Sequence, residues 1–253
     1  MKALLRHPIR IPARLLWIAG EFILAAVAFV FRCAFAPREE FLARRAFWLQ
    51  TGARRVLRIF GARTEALGPI PSGGLLVCNH LSYLDIFVLA SLTPAVFVAK
   101  REVKSWPVLG WFARLAGTVF VNRGRRTHVG QVNDEIQTAL NQDALVILFP
   151  EGTSSGGETV LPFKSSLLEP ASRHGHALSA GFIQYELPDG DVSEEVCYWK
   201  DMTLVPHLVN LLGKRTIRAS VRFTRLQEGS RNRKELARQL RSEVLRLKEA
   251  TAI

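Results

Sequence analysis

From Gly61 onward, short apolar runs bounded by turn residues alternate with stretches whose apolar positions recur every three or four residues. That alternation predicts an α/β domain. Strands are expected over 75–78 (LLVC), 95–99, 118–121 (TVFV), 145–149 (LVILF), near 177–184, and over 215–223 (RTIRASVRF). Helices are expected over 85–91, 106–116, 128–141, 167–173 and 233–248, the last charged and amphipathic and read as solvent-facing packing. The fold class implied is a mixed central sheet flanked by helices.

Ahead of this domain the pattern differs. Residues 15–31 read LLWIAGEFILAAVAFVF between Arg14 and Arg32, with Gly20 and Glu21 interrupting the run. As a helix this is roughly 26 Å against a hydrocarbon core of about 30 Å, and Glu21 would be costly in mid-bilayer. A cleavable leader fits poorly, because no small-x-small site follows. After Pro37, the residues Leu42, Ala46, Leu49, Ala53, Val56, Leu57 and Phe60 form an apolar stripe, with Arg44, Arg54, Arg55 and Arg58 opposite and Trp48 as an interfacial aromatic. That is the pattern of a helix lying in the headgroup layer of an anionic leaflet. Basic residues on both flanks (Lys2, Arg6, Arg10 and Arg14 before the run) favour the cytoplasmic side for both ends. The expectation is a helical hairpin over residues 1–62 that dips into one leaflet, followed by a catalytic domain over 63–253. A transmembrane anchor and a pair of ordinary core helices are the alternatives.

Charge adds a partner class. Lys and Arg total 34 against 22 Asp and Glu, a formal net charge of +12, in a chain that is 48% hydrophobic. Such a chain is too apolar for a disordered polycation, and its charge calls for a membrane surface, a phosphorylated substrate or nucleic acid. No reading helix, zinc finger or stacking motif supports nucleic acid. A non-enzymatic basic binding protein is the rival of another class. Three widely spaced cysteines, Cys33, Cys78 and Cys197, give neither a disulfide framework nor a zinc site and suit a reducing compartment. The histidines lack ligand spacing, so no metal is expected.

Three polar clusters follow predicted strands, where sites in open α/β sheets lie. Asn79 to Asp85 (NHLSYLD) follows LLVC, Asn122 to Arg126 (NRGRR) follows TVFV, and Pro150 to Ser155 (PEGTSS) follows LVILF. An aspartate can fix the tautomer of His80 and leave its other nitrogen to accept a proton from a hydroxyl. Residues five apart lie about 140° apart on a helix, so His80 and Asp85 meet only if His80 precedes the helix that carries Asp85. Ser82 and Asp85 also form a helix-start pattern that would occupy the carboxylate with a backbone N–H. Arg123 beside Gly124 suits close approach to an anion as well as a solvated loop. Glu151, directly after five apolar residues, must bond something if it is desolvated.

Together the clusters resemble the glycerolipid acyltransferase family. Its His-x-x-x-x-Asp matches His80 and Asp85, its arginine motif resembles FVNRG at 120–124, and its Phe-Pro-Glu-Gly-Thr matches 149–153. The resemblance covers about 73–164, with a looser echo in the leader helices. It implies a membrane-associated O-acyltransferase that uses an acyl-CoA or acyl-carrier-protein thioester as donor and needs no other cofactor. The implied acceptor is a lyso-lipid, 1-acyl-glycerol-3-phosphate first and lyso-ornithine lipid as the alternative. By resemblance His80 is the base and Asp85 its partner; Arg123 and Gly124, with Lys100 and Lys164, meet anionic groups of acceptor or donor. Glu151, Gly152 and Thr153 line the acceptor pocket, with Glu151 binding a hydroxyl or bracing Arg123. One departure bears on the acceptor: many members carry Arg after Gly-Thr, where Ser154 and Ser155 stand here, and the later Phe-Lys-x-Gly pattern is Phe163-Lys164-Ser165-Ser166.

Overall fold

In the computed structural model, which describes residues 7–122 and 126–250, the apolar runs pair into one sheet. The strands are β1 (Ala62–Leu67), β2 (Gly74–Cys78), β3 (Val96–Lys100), β4 (Val119–Val121), β5 (Leu145–Leu148), β6 (Leu178–Glu186) and β7 (Ile217–Arg225), in spatial order β1-β7-β6-β2-β5-β3-β4. All neighbours are parallel except β6 and β7, so the sheet is mixed, as expected. Strands without polar alternation are those buried on both faces. In β2, Leu75 and Val77 point into one core cluster, and Leu76 and Cys78 into the other.

The first layer contains α3 (Leu84–Leu92) and α8 (Leu204–Gly213), with the second hairpin helix. The second contains α5 (Arg126–Asn141) and α9 (Arg233–Glu249). Short helices α4 (Leu109–Leu115), α6 (Glu169–His174) and α7 (Val192–Glu195) fill the connections. Asn232 caps α9 by accepting from the N–H groups of Lys234 and Glu235. Two elements had no strong sequence signal. β1 is a polar edge strand in register with β7 from Ala62↔Ile217 onward. α8 begins with Leu-Val-Pro, and Pro206 in its first turn omits an N–H that would be orphaned there anyway. The helix expected over 106–116 starts only at Leu109, because Pro107 and Val108 make a tight turn before it.

The hairpin exists as α1 (Arg10–Phe29), continued by a π-helical turn (Val30–Ala34), and α2 (Arg38–Phe60). The apolar stripe of α2, however, faces the protein: Ala46, Ala53, Leu57 and Phe60 are buried, and the last three join the first core layer. That corrects the reading of this stripe as one that lies in headgroups. The arginines opposite it are largely committed to the protein. Arg54 donates to the Ser91 carbonyl at 2.8 Å, and Arg55 pairs with Glu21 at 2.7 Å. Glu21 is 5% exposed, so its charge is met by Arg55 rather than by lipid. Arg10 and Arg14 donate to the carbonyls of Gly213, Leu212 and Lys214, where α8 ends and cations are favoured. The Trp48 indole donates to the Ala25 carbonyl at 2.8 Å. α1 is thereby fastened to the domain at its start and middle. Its exposed side is apolar, with Leu16, Trp17, Ile23, Leu24, Val27, Val30 and Phe31 in solvent. By length and composition Arg10–Ala34 could also cross a membrane.

Removing one member of the Glu21–Arg55 pair strands a buried charge. Arg55→Met is expected to cost about 3 kcal/mol, and the double variant Glu21→Leu/Arg55→Met clearly less. Chemical denaturation of the three proteins in one detergent measures the difference.

Candidate active site

The strand order decides which clusters meet. β2 and β5 are direct parallel neighbours, with Val77 opposite Leu148, so the loops after them, carrying His80 and Glu151, emerge side by side. β3 and β4 lie beyond β5, which places Lys100 next and the end of β4 at the sheet edge. Arg123 and Gly124 themselves lie outside the described residues.

Helix α3 starts at Leu84, so His80 sits in the turn ahead of it. Its Nδ1 is 2.8 Å from Asp85 Oδ2. The same oxygen accepts from the N–H groups of Leu81 at 2.7 Å and Ser82 at 3.0 Å. Asp85 Oδ1 accepts from the Tyr185 hydroxyl at 2.6 Å. Asp85 is fully buried, yet these donors replace its hydration. A carboxylate receiving at Oδ2 requires Nδ1 to carry the proton, which leaves Nε2 of the imidazole as the acceptor. The helix-start pattern and the histidine contact therefore coexist on one carboxylate instead of competing.

The PEGTSS loop fixes the backbone of His80. Glu151 Oε1 accepts from the His80 N–H at 3.1 Å, Glu151 Oε2 accepts from the Leu161 N–H at 3.2 Å, and the His80 carbonyl accepts from the Ser155 N–H at 3.0 Å. The Phe149 ring stacks on the imidazole, with centroids 4.2 Å apart. Glu151 is buried, and burial pushes its carboxyl up to about 7 despite the two N–H groups that favour the charged form. Its carboxylate is thus bonded to the histidine turn and to the 161 segment.

An apolar groove of about 280 Å³ opens on His80. Gly152, Thr153, Ser154, Tyr83, Tyr198 and Lys100 border it near the strand ends, and Phe22, Ala25, Trp48, Leu49, Gly52 and Val56 of the hairpin continue it. Lys164 borders a separate cavity of about 290 Å³ with Val121, Phe149 and Pro150. The residues brought to one groove are therefore His80, Gly152, Thr153 and Lys100, while Lys164 lies across Phe149 from them.

Several participants were not singled out from sequence. Tyr185 reaches Asp85 from 100 residues away. The Asn79 side chain exchanges two hydrogen bonds with the Ile183 backbone, 2.8 and 2.9 Å, and fastens the end of β2 to β6. Tyr198 donates its N–H to the Leu81 carbonyl at 2.8 Å, and its own carbonyl accepts from the Ser154 hydroxyl. His207 on α8 accepts from the Tyr83 hydroxyl through Nδ1 and donates through Nε2 to the Cys197 carbonyl, each at 3.0 Å. Among the described residues no cluster of His, Cys, Asp or Glu has the arrangement of a metal site.

Comparison with known proteins gives one consistent answer. Residues 61–184 match the family model described as Acyltransferase. The chain is 35% identical over 218 residues to the lyso-ornithine lipid O-acyltransferase of Brucella abortus, covering 79% of this chain and 81% of that protein. It is 36% identical over 143 residues to the 1-acyl-sn-glycerol-3-phosphate acyltransferase of Neisseria gonorrhoeae, covering 53% and 56%. Its fold is similar to the crystal structure of the 1-acyl-sn-glycerophosphate acyltransferase of Thermotoga maritima, with a TM-score of 0.66 at 18% identity over 97% of this chain and 98% of that one.

The raised carboxyl of Glu151 has a definite sign in stability. A folded-state value near 7 against an ordinary one near 4.5 means that the folded chain holds the proton more tightly. Its stabilising contribution is complete below about 4.5 and is lost as pH rises through about 7. Glu151→Gln removes the titration and also leaves one N–H without its acceptor. Melting temperature against pH from 4.5 to 8 should therefore fall less steeply in Glu151→Gln than in the parent, while the variant's turnover at pH 8 is lower.

Proposed function

The chain belongs to the acyltransferase family, and we propose that it transfers a fatty acyl group from an acyl-CoA or acyl-carrier-protein thioester to the free hydroxyl of a lyso-lipid. One observation carries the proposal: an imidazole whose Nδ1 is bonded to a buried carboxylate at 2.8 Å opens onto an apolar groove able to take an acyl chain. In this scheme His80 Nε2 removes the hydroxyl proton as the oxygen attacks the thioester carbon. Asp85 stabilises the imidazolium. Collapse of the tetrahedral adduct breaks the C–S bond, and the leaving thiolate takes the proton back from His80. The donor is already activated, so no acyl-enzyme is needed. General-base catalysis contributes about 10²–10⁴-fold, and alignment of hydroxyl and thioester in the groove supplies much of the rest.

Ser154 bears on the acceptor. Its hydroxyl is bonded to the Tyr198 carbonyl, so the position that is Arg in many relatives offers no cation to a phosphate. The match to the Brucella abortus protein also spans more of the chain than the match to the Neisseria gonorrhoeae protein. Both observations favour a lyso-ornithine lipid as acceptor, with 1-acyl-glycerol-3-phosphate as the alternative. The exposed apolar side of α1 and the basic flanks support a position in one leaflet at the cytoplasmic face, entered without a full span.

The deciding experiment gives purified enzyme one labelled acyl donor and a panel of lyso-ornithine lipid, lysophosphatidic acid and other lysophospholipids. Acyl transfer to one acceptor is expected. Stoichiometric fatty-acid release without acceptor would identify a hydrolase instead. His80→Ala should bind lipid and lose at least about 10²-fold in turnover, and an active variant removes the base assignment.

Gly52 tests the groove separately. It lies in the middle of α2, where glycine costs about 1 kcal/mol relative to alanine, and a side chain there would meet open space. Gly52→Leu should fold normally and shift the preferred donor to shorter chains, as read from rates across a chain-length series.

A further inference from the structure

Between β3 and β4 the chain makes a 3₁₀ turn (Arg101–Ser105), a tight turn at Pro107 and Val108, and helix α4. This excursion has two apolar sides. Val103, Trp106, Leu109 and Phe112 face the groove. Val108 and Trp111 do not border it and are 49% and 47% exposed. Val108 has φ 61 and ψ −60, and the Leu109 N–H is 2.6 Å from the Pro107 carbonyl, a γ-turn that a β-branched residue adopts only under strain. Strain of this kind persists where the surrounding structure enforces it. Here it thrusts an isopropyl group into solvent. Arg101, Lys104 and Arg114 are exposed around it, against a single exposed acid in the excursion, Glu102. Arg114 also braces the turn by donating to the Gly110 carbonyl at 3.2 Å.

The excursion touches the hairpin. Phe112 packs on Phe22 of α1 with centroids 4.9 Å apart and stacks on Trp48 of α2 at 5.9 Å, while Trp111 meets Phe112 edge-on at 5.1 Å. Phe22 and Ala25 of α1 and Trp106, Leu109 and Phe112 of the excursion therefore line one groove, and each of the two elements also carries exposed apolar residues outside it.

We propose that the segment from Arg101 to Leu115 is a second membrane-contact element, with Val108 and Trp111 entering an anionic leaflet and Arg101, Lys104 and Arg114 meeting lipid phosphates. The proposal rests on the lyso-lipid reading above and deepens it, because it delivers the groove to the bilayer between two apolar supports. A tryptophan and an aliphatic side chain within a basic rim is the composition of an interfacial anchor. The partner is a lipid surface; the exposed cations here exceed acids by three to one, which complements an anionic leaflet.

The three native cysteines are buried, so a thiol label goes to an introduced one. Full-length Val108→Cys carrying an environment-sensitive fluorophore is mixed with phosphatidylglycerol/phosphatidylcholine vesicles, beside Arg238→Cys on α9 as reference. A blue shift at 108 and none at 238, weakened by salt, is the expected result. A label at 108 that stays as wet as the one at 238, on vesicles shown by co-sedimentation to bind the protein, overturns the proposal. The variant Val108→Ser/Trp111→Ser provides a second readout. Its KM for vesicle-borne lyso-lipid should rise about tenfold, while turnover of a short-chain, water-soluble lyso-lipid stays at the parent value. An unchanged KM, or an equal loss with both acceptors, also overturns it. Failure of the parent enzyme to acylate any acceptor would overturn the proposed function instead, and the fluorescence result would still stand or fall separately.

Discussion

The carboxylate of Asp85 accepts hydrogen bonds from the His80 ring, the Leu81 and Ser82 N–H groups and the Tyr185 hydroxyl. These donors come from the loop after β2 and from β6, so the ion joins two adjacent strands to the first turn of α3. Its burial is tolerable only with this full complement of donors, since an isolated carboxylate in such a place would neutralise itself. The histidine geometry is thus bound to the folding of the whole sheet end. A rotation of α3 that broke one contact would expose a charge to an apolar layer.

A second carboxylate works in the complementary direction. Glu151 spends both oxygens on backbone N–H groups, one of them that of His80, so the loop after β5 dictates the backbone of the loop after β2. Asp85 orients the ring; Glu151 and Ser155 hold the chain to which the ring is attached. The two acids differ in their donors: Asp85 receives a hydroxyl, a ring N–H and two backbone N–H groups, and Glu151 receives two backbone N–H groups.

Local signals gave the central strands, since β2 and β5 are apolar runs closed by polar loops, and they gave the condition that His80 precede the helix of Asp85. They also showed that Glu151 needed partners without showing which. Adjacency was not legible, because whether the loops after β2, β4 and β5 meet depends on a strand order that non-local pairing sets. The same holds for Tyr185, Tyr198 and His207, whose partners are 100, 117 and 124 residues away. β1 was missed because an edge strand buries little and carries no apolar alternation.

The arginines of the hairpin show why periodicity misleads at a surface. A helix with arginines opposite an apolar stripe has the same pattern whether the stripe faces lipid or protein. In α2 the stripe is core, and Arg54 and Arg55 are tied to Ser91 and Glu21. Within the hairpin, the apolar surface left exposed is instead the outer side of α1, a helix that contributes few residues to the core. Because Arg10 and Arg14 fasten the start of α1 to the end of α8, and the Glu21–Arg55 pair fastens its middle to α2, the helix cannot leave the domain to cross a bilayer unless these bonds break. Breaking them would strand the guanidinium groups and carbonyls that now satisfy one another. A helix held along its flank and apolar on its outer side fits the proposed placement in one leaflet, and its inner side, through Phe22 and Ala25, lines the groove.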